Sequence, residues 1–515
     1  MSEGILARIG LPTPVSRIAV GVVAAFVASA VLSIDAASVV LVAVKDGVVQ
    51  YFDWLFVGVA TFSLVVVGIL AVHPRGNIRL GPRDSQPEFS RLSWFAMLFS
   101  AGLASGLLYW AAAEPILHYQ GNPLLVEQGG LPRSPDAVET ALRLTVLHWG
   151  LHGWAFYVLV ALGIAIYSHR YGLPLTFRSA LYPLLGPKYI HRWPGLTVDL
   201  IALFGTVCGV ATSIGISAAG MNATLGSLFG LDVDLPNQYM IVFAVCLLGI
   251  VSALSGLARG IRRLSELNVW LSLLLLVGFA VLGPTVYLAG LFVDTTADYV
   301  TNVLPTGLWL AANPAQQEWQ AEWTIFYWGW WLAWTPFVSL FIARISKGRT
   351  LREFVLAVML VPTFVILVWM TVFGGTALHQ EMAQAGAVSD AVGTDYSLGI
   401  VAVIENLGSP AITTVLVGIA AFLLFTWLIT SLDSATLVIC HLLGAEEAPR
   451  AKMFWGFALA AVSCALMRVG GVPALQAASI VIGLPLAVLL VLIAAVLLLD
   501  LVRGRLGEGN ALLGR

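Results

Sequence analysis

The chain is 515 residues long, 59% apolar and 10% charged, with a mean hydropathy of +0.91 and a formal net charge of −2. No soluble domain of this length tolerates such a composition, and repeated apolar stretches of membrane-spanning length make the chain a polytopic α-helical membrane protein. Cys208, Cys246, Cys440 and Cys464 all sit inside apolar runs without paired spacing, so they read as small packing residues, neither a disulfide frame nor a metal site.

Twelve apolar runs follow in chain order, at roughly 15–34, 53–73, 93–119, 138–168, 197–227, 237–257, 266–293, 321–344, 352–378, 411–441, 453–468 and 475–502. Several exceed about 25 residues, so tilt, kinks or unwound stretches are expected. The first run follows Arg8 and Arg17 as a signal peptide would, but its length and the alternation after it favour a retained helix. With both termini cytoplasmic, all but Lys45, Arg133, Arg143 and Arg468 of the 26 Lys and Arg fall on the inner side, which fixes the orientation. Asp232, Asp234, Asp294, Asp298, Glu381, Asp390 and Asp395 fall in the outer loops.

The organisation read from these runs is a tail with two leading helices over 1–92, a five-helix unit over 93–293, an outer loop over 294–320, a second five-helix unit over 321–502 and a short cytoplasmic tail over 503–515. Five plus five in inverted orientation is a common transporter plan, with the site at mid-membrane between broken helices. The outer loop carries Pro305 and Pro314 and has room for a short surface helix.

The third run contains FSAGLASGLLYWAAAEP, from Phe99 to Pro115. Gly102, Ala104, Ser105 and Gly106 lower the resistance to unwinding, and freed backbone N–H groups at membrane depth suit a substrate carboxylate. Small-residue packing against a neighbouring helix accounts for the same residues. The fourth run carries HWGLHGWAFY, from His148 to Tyr157, and at 100° per residue Trp149, Trp154 and Tyr157 fall within an arc of roughly 140°. His148 and His152, four apart, form half of a metal site, but no third ligand is in view and packing is the simpler role. The fifth run offers Thr206, Thr212, Ser213 and Ser217 with no Lys or Arg between Leu200 and Leu225, so a cation site could use Thr206.

The eighth run is the richest, with EWTIFYWGWWLAWTP from Glu322 to Pro336. Helical periodicity puts Tyr327, Trp330, Trp331 and Trp334 on one face. A buried face of aromatic rings presents negative π-surfaces, and the guest that wants such a surface is a cation that cannot donate hydrogen bonds, above all a quaternary ammonium. Trp110 and Trp427 read as packing or anchoring residues. In the tenth run, FTWLITSLDSAT, the adjacent hydroxyls of Thr430 and Ser431 with freed carbonyls make a hard-oxygen site for a small cation such as sodium. The competing account is that both hydroxyls bond back to the preceding turn. Asp433 is an intramembrane carboxylate and so a candidate functional group.

At these residues the chain resembles the betaine/choline/carnitine transporter family. The likeness lies in WTIFYWGWW (Trp323 to Trp331), ARISKGRTLREF (Ala343 to Phe354), AAEP (Ala112 to Pro115), HWGLHGWAFY, and TSLDS (Thr430 to Ser434). The resemblance implies an all-α membrane protein of twelve transmembrane helices, two leading helices plus the inverted five-plus-five core, as a homotrimer in the plasma (inner) membrane. It implies an aromatic box of Trp149, Trp154, Tyr157 and Trp331, with Trp330 and Trp334 lining the inward path. It also implies a sodium site at Thr430 and Ser431 with backbone oxygens near Ser100, Leu103 and Trp427, and a second one at Thr206 and Phe337. The family's third-run stretch alternates glycines where Ala104 and Ser105 stand here, and it lacks the Asp of some proton-coupled choline carriers. The long charged tails of osmosensing members are also missing, so gating through such a tail is not expected. The expectation is therefore a transporter, not an enzyme, that couples sodium to uptake of a betaine-like onium solute by alternating access and needs no cofactor beyond the coupling ion. A sodium-independent exchanger of the same family is the nearest rival, since such members replace the sodium sites with Met and Arg. A solute sensor is a more distant one.

Overall fold

The computed structural model describes residues 13–102, 105–255, 258–445 and 448–507, with backbone alone at 99–102 and 258–263. It is helical throughout: among the described residues there is no strand, only an isolated bridge between Arg79 and Thr350. The principal helices are α1 (Pro14–Leu32), α2 (Ile34–Val72), α3 (Arg91–Gly102), α4 (Ser105–Gln120), α5 (Pro135–Trp149), α6 (Leu151–Tyr171) and α7 (Trp193–Phe229). They continue with α8 (Leu235–Ser255), α9 (Ala258–Leu282), α10 (Thr285–Gly307), α11 (Phe326–Ile345), α12 (Leu351–Ala383), α13 (Pro410–Leu442) and α14 (Pro449–Val502). Among the described residues, ten helices are long and apolar enough to cross a membrane, with α5 and α6 taken together as one.

The expected count of twelve goes beyond these ten, and two local features explain the difference. The last two apolar runs lie in one helix, α14, which kinks where Gly470 (φ −177°, ψ 22°) and Gly471 (φ 62°, ψ −141°) leave helical geometry. Only glycine adopts the second of those conformations readily. The third run is carried by α3 and α4, each too short to span alone.

The seventh run does not reach residue 293. Its helix stops at Leu282, where Gly283 N–H closes on the Phe279 carbonyl at 2.9 Å and Pro284 removes the next donor. A new helix, α10, starts at Thr285 and occupies the first half of the stretch read as a loop over 294–320; a short helix, Pro314–Gln320, occupies much of the rest. Buried Arg143 on α5 ties α10 down through Asp298, at 3.0 and 3.2 Å.

The fourth run is also divided. α5 begins at a Ser134 cap with Pro135 in its first turn, and ends at Gly150 (φ −91°, ψ −136°). The Leu151 N–H, which α6 cannot satisfy from within, donates to the Tyr299 hydroxyl of α10 at 2.9 Å. α7 lies close against α11: a Cβ built on Gly209 would stand 2.9 Å from Trp334 Cδ1 and 3.1 Å from Ala333. α11 meets α14 as closely, with a Cβ on Gly329 falling 2.9 Å from the Ile480 backbone. Such approaches are how helices pack where lipid supplies no hydrophobic drive. The segment after α11 is tied to the other helix ends: Trp94 Nε1 donates to Ser346 Oγ at 3.0 Å, Arg349 lies 4.6 Å over the Trp94 ring, and Thr350 caps α12.

Candidate functional site

Four aromatic side chains from three helices meet in the protein interior. Trp331 of α11 has its ring centroid 6.3 Å from Trp149 of α5, and 5.9 Å and 4.9 Å from Trp154 and Tyr157 of α6. Trp154 and Tyr157 are 5.5 Å apart and nearly perpendicular. All four are almost closed to solvent, between 0% and 6% exposed. Three of these contacts are edge to face and the Tyr157–Trp331 pair is tilted at 51°, both arrangements that the ring quadrupoles favour over a face-to-face sandwich.

The helical wheel across residues 149–157 does not describe this arrangement, because Trp149 belongs to a different helix from Trp154 and Tyr157. The bend at Gly150 turns the three rings toward Trp331. Gly153 makes the approach close: a Cβ there would lie 2.3–2.8 Å from three atoms of the Trp331 ring. Gly106 on α4 does the same beneath Trp330, with Cβ distances of 2.5 Å to Trp330 and 3.5 Å to Trp149.

What the indole N–H groups do decides what the site can bind. Trp149 Nε1 donates to Glu114 Oε2 at 2.9 Å, and Trp331 Nε1 donates to the His148 carbonyl at 2.7 Å. That carbonyl is free to accept because α5 ends one residue later. Trp334 Nε1 donates to the Gly209 carbonyl and Ser213 Oγ at 2.9 and 3.0 Å, and Trp330 Nε1 reaches Ser213 Oγ at 3.3 Å. Trp154 Nε1 is buried with no partner among the described residues. Two of the three indoles in the box therefore have their donors occupied by the protein. Such a surface holds a methylated cation better than a hydrogen-bonding one.

Trp334, Phe337, Phe341 and Arg344 are spaced three, four and three apart along α11. The Trp334 and Phe337 rings are 5.4 Å apart, and Phe341 and Arg344 line a cavity of about 580 Å³ shared with Leu175, Leu437, His441 and Lys452. A face of α11 thus runs from the box to a basic vestibule.

The candidate cation ligands are placed less completely. Leu103 and Ala104 lie outside the described residues, as does the side chain of Ser100. Thr430 Oγ1 shares its proton between the carbonyls of Thr426 and Trp427, both at 3.0 Å, which for Thr430 is the back-bonding of the competing account. Thr430 and Ser431 are partly buried, and Trp427 is buried with its ring 6.5 Å from Trp369. Thr206 is fully buried and donates to Ala202 at 3.0 Å; Phe337 is half-buried on the neighbouring helix. Asp433 is buried, with one carboxylate oxygen lacking a hydrogen bond among the described residues.

Glu114, His118 and Ser213 had not been assigned a place at the box. His148 does not pair with His152, whose Nε2 sits 3.3 Å from Thr61 Oγ1. Its neighbours are Glu114, with Oε1 2.7 Å from His148 Nδ1, and His118. The spacing of Glu114 and His118, one helical turn apart, was the signal for a shared face. These three could in principle hold a metal, their ligand atoms lying within 4.8 Å of one another. The 2.7 Å separation is a hydrogen bond, however; ligands at 2.0–2.1 Å from a tetrahedral zinc stand roughly 3.3 Å apart. Ser105 Oγ bonds Ser217 Oγ, which donates in turn to the Ser213 carbonyl, linking α4 to the segment of α7 that receives the indoles.

Comparison with known proteins agrees with this architecture. The model of the betaine/carnitine/choline family of transporters matches residues 14–505. The chain is 38% identical over 501 residues to glycine betaine transporter 1 of Vibrio parahaemolyticus, covering 95% of this chain and 93% of that protein. It is 37% identical over 492 residues to the glycine betaine transporter OpuD of Bacillus subtilis, covering 95% and 94%. The high-affinity choline transport protein of Escherichia coli is 35% identical over 446 residues, 85% of this chain and 64% of the relative. A match over nearly the whole length, at a helical membrane protein with this box, makes the chain a transporter rather than an enzyme: it belongs to the betaine/carnitine/choline transporter family.

Proposed function

We propose that the protein takes up a quaternary ammonium or sulfonium solute of the glycine betaine type by secondary active transport, coupled to sodium. The observation that carries this reading is the box itself: Trp149, Trp154, Tyr157 and Trp331 gathered from α5, α6 and α11, with two of three indole donors turned to the protein. Each ring in contact with an onium head contributes roughly 0.5–2 kcal/mol, so two or three supply about 1–6 kcal/mol of the roughly 4–8 kcal/mol that millimolar-to-micromolar affinity requires, and contacts to the rest of the solute supply the remainder. Relatives named as glycine betaine and choline carriers support the same substrate class.

In this reading sodium is a co-substrate bound by the Thr430 and Ser431 hydroxyls with backbone oxygens near Ser100, Leu103 and Trp427, and a second ion uses Thr206 and Phe337. A hydroxyl oxygen that donates its proton to the helix backbone keeps acceptor capacity for a hard cation, and keeping both hydroxyls favours coupling over sodium-independent exchange. The solute's carboxylate lies toward Gly102, Ala104 and Gly106, and closure after ion and solute binding opens the path along Trp330, Trp334 and Phe337 to the basic vestibule. Twelve spans, two leading helices with an inverted five-plus-five core, cytoplasmic termini, an inner-membrane location and a homotrimer complete the proposal. They rest on the charge pattern and the resemblance.

The test is uptake into proteoliposomes under sodium or potassium gradients, preceded by a thermal-shift screen of glycine betaine, choline, carnitine, ectoine and dimethylsulfoniopropionate. An onium solute that stabilises the protein and accumulates only with sodium is expected. Equal uptake in potassium would overturn the coupling; stabilisation by none of the onium solutes would overturn the substrate class.

A further inference from the structure

The group that the transport reading leaves unused is the carboxylate of Glu114, fully buried on α4 between α5 and α11. A carboxylate at that depth is costly unless every lone pair has a partner. Here each oxygen does. Oε2 accepts from Trp149 Nε1 at 2.9 Å and from the Tyr327 hydroxyl at 2.5 Å; Oε1 stands 2.7 Å from His148 Nδ1 and 3.4 Å from His118 Nε2. One side chain thus gathers α4, α5 and α11 at the edge of the box. It holds Trp149 directly, and it holds His148, whose carbonyl takes the Trp331 N–H at 2.7 Å.

Two consequences follow for the guest. The plane of Trp149 is fixed, with its only donor occupied. An indole whose N–H points at an anion is also polarised, so electron density shifts from the N–H edge onto the π-face. That shift strengthens attraction to a cation on the face and does nothing for a neutral group of the same shape.

We infer that Glu114 is a positioning and specificity-determining residue, a buried anion that orients Trp149 and tunes its face toward positively charged onium heads. This rests on the onium-box reading above, and the experiment separates the two. Purified protein is challenged with glycine betaine and with 3,3-dimethylbutyrate, which replaces the quaternary nitrogen by carbon and keeps the shape. Competition against radiolabelled glycine betaine gives both affinities for wild type and Glu114→Gln. A defect away from the ring faces weakens both guests alike; loss of the carboxylate that orients and polarises Trp149 collapses their ratio.

The wild type is expected to prefer the charged head, and Glu114→Gln to cut that preference about fivefold or more. An unchanged ratio in Glu114→Gln overturns the role of Glu114 and leaves the box standing. No preference in the wild type overturns the box, and this inference with it. If Glu114→Gln does not purify as a folded protein, Glu114→Asp, which withdraws the carboxylate from Trp149 by one methylene, is held to the same criterion.

Discussion

Gly153→Ala adds one methyl group at the most confined point of the box. The new carbon would lie 2.3 Å from Trp331 Cε2, 2.4 Å from Cδ2 and 2.8 Å from Cζ2. Carbon atoms rest at about 3.5–4.0 Å, so the ring must withdraw by about 1.2 Å or more. It has little freedom to do so, being tied to the His148 carbonyl at 2.7 Å and flanked by Tyr157 at 4.9 Å and Trp154 at 5.9 Å. Overpacking of this kind costs about 1–3 kcal/mol in stability, offset by about 0.8–1 kcal/mol from replacing a helical glycine. Folding should therefore survive. Binding should weaken, because losing one ring face removes about 0.5–2 kcal/mol, a 2- to 30-fold rise in Kd. The assay is equilibrium binding of radiolabelled glycine betaine to purified protein, with thermal unfolding in parallel. Gly418→Ala on α13, whose Cβ would meet nothing within 4 Å, is the control and should bind as wild type. A folded Gly153→Ala protein with wild-type affinity would refute the placement of Trp331 in the site.

Other perturbations separate the parts of the account. Trp331→Leu, which removes the whole ring, should weaken glycine betaine binding at least as much as Gly153→Ala by equilibrium dialysis, while keeping the circular dichroism spectrum and elution volume of the wild type. Thr430→Val, nearly isosteric, should raise the sodium concentration for half-maximal uptake about tenfold or more, with glycine betaine affinity at saturating sodium little changed; unaltered sodium dependence would remove Thr430 from the ion site. Ser213→Ala removes an acceptor from Trp330 and Trp334, but Trp334 keeps the Gly209 carbonyl at 2.9 Å. Its effect should fall on transport rate, with equilibrium binding changed by no more than about tenfold, since a lost neutral hydrogen bond is worth only about 0.5–1.5 kcal/mol.

What the sequence disclosed divides along physical lines. Lipid-crossing helices are legible because a bilayer demands long apolar runs, and tryptophan-rich segments within them stand out against that background. Spacing alone puts Trp149, Trp154 and Tyr157 on one face and Trp331 on another with Tyr327, Trp330 and Trp334; their grouping as a box is what the resemblance implies, and the bend that joins the first three is not legible in the spacing. A wheel drawn through Gly150 assumes one helix, and glycine is where that assumption is weakest. Pro284 likewise ends a helix inside what reads as one apolar stretch. The link from Glu114 to Trp149 and Tyr327 was invisible for another reason: it joins separate helices, and nothing local to AAEP says which donors its carboxylate will meet. Ser213 looked like one hydroxyl among several on α7, and only close packing against α11 gives it two indoles. The third-run stretch at Leu103 and Ala104, central to the ion reading, lies outside the described residues.

The central claim is that a cation rests on the π-face of Trp331. Substituting that residue with tryptophans carrying one, two, three and four ring fluorines drains the face of negative charge in steps while barely changing its shape. Glycine betaine affinity should fall with each fluorine, in proportion to the lost cation-binding strength of the ring. Equal affinity across the fluorinated series would contradict the account.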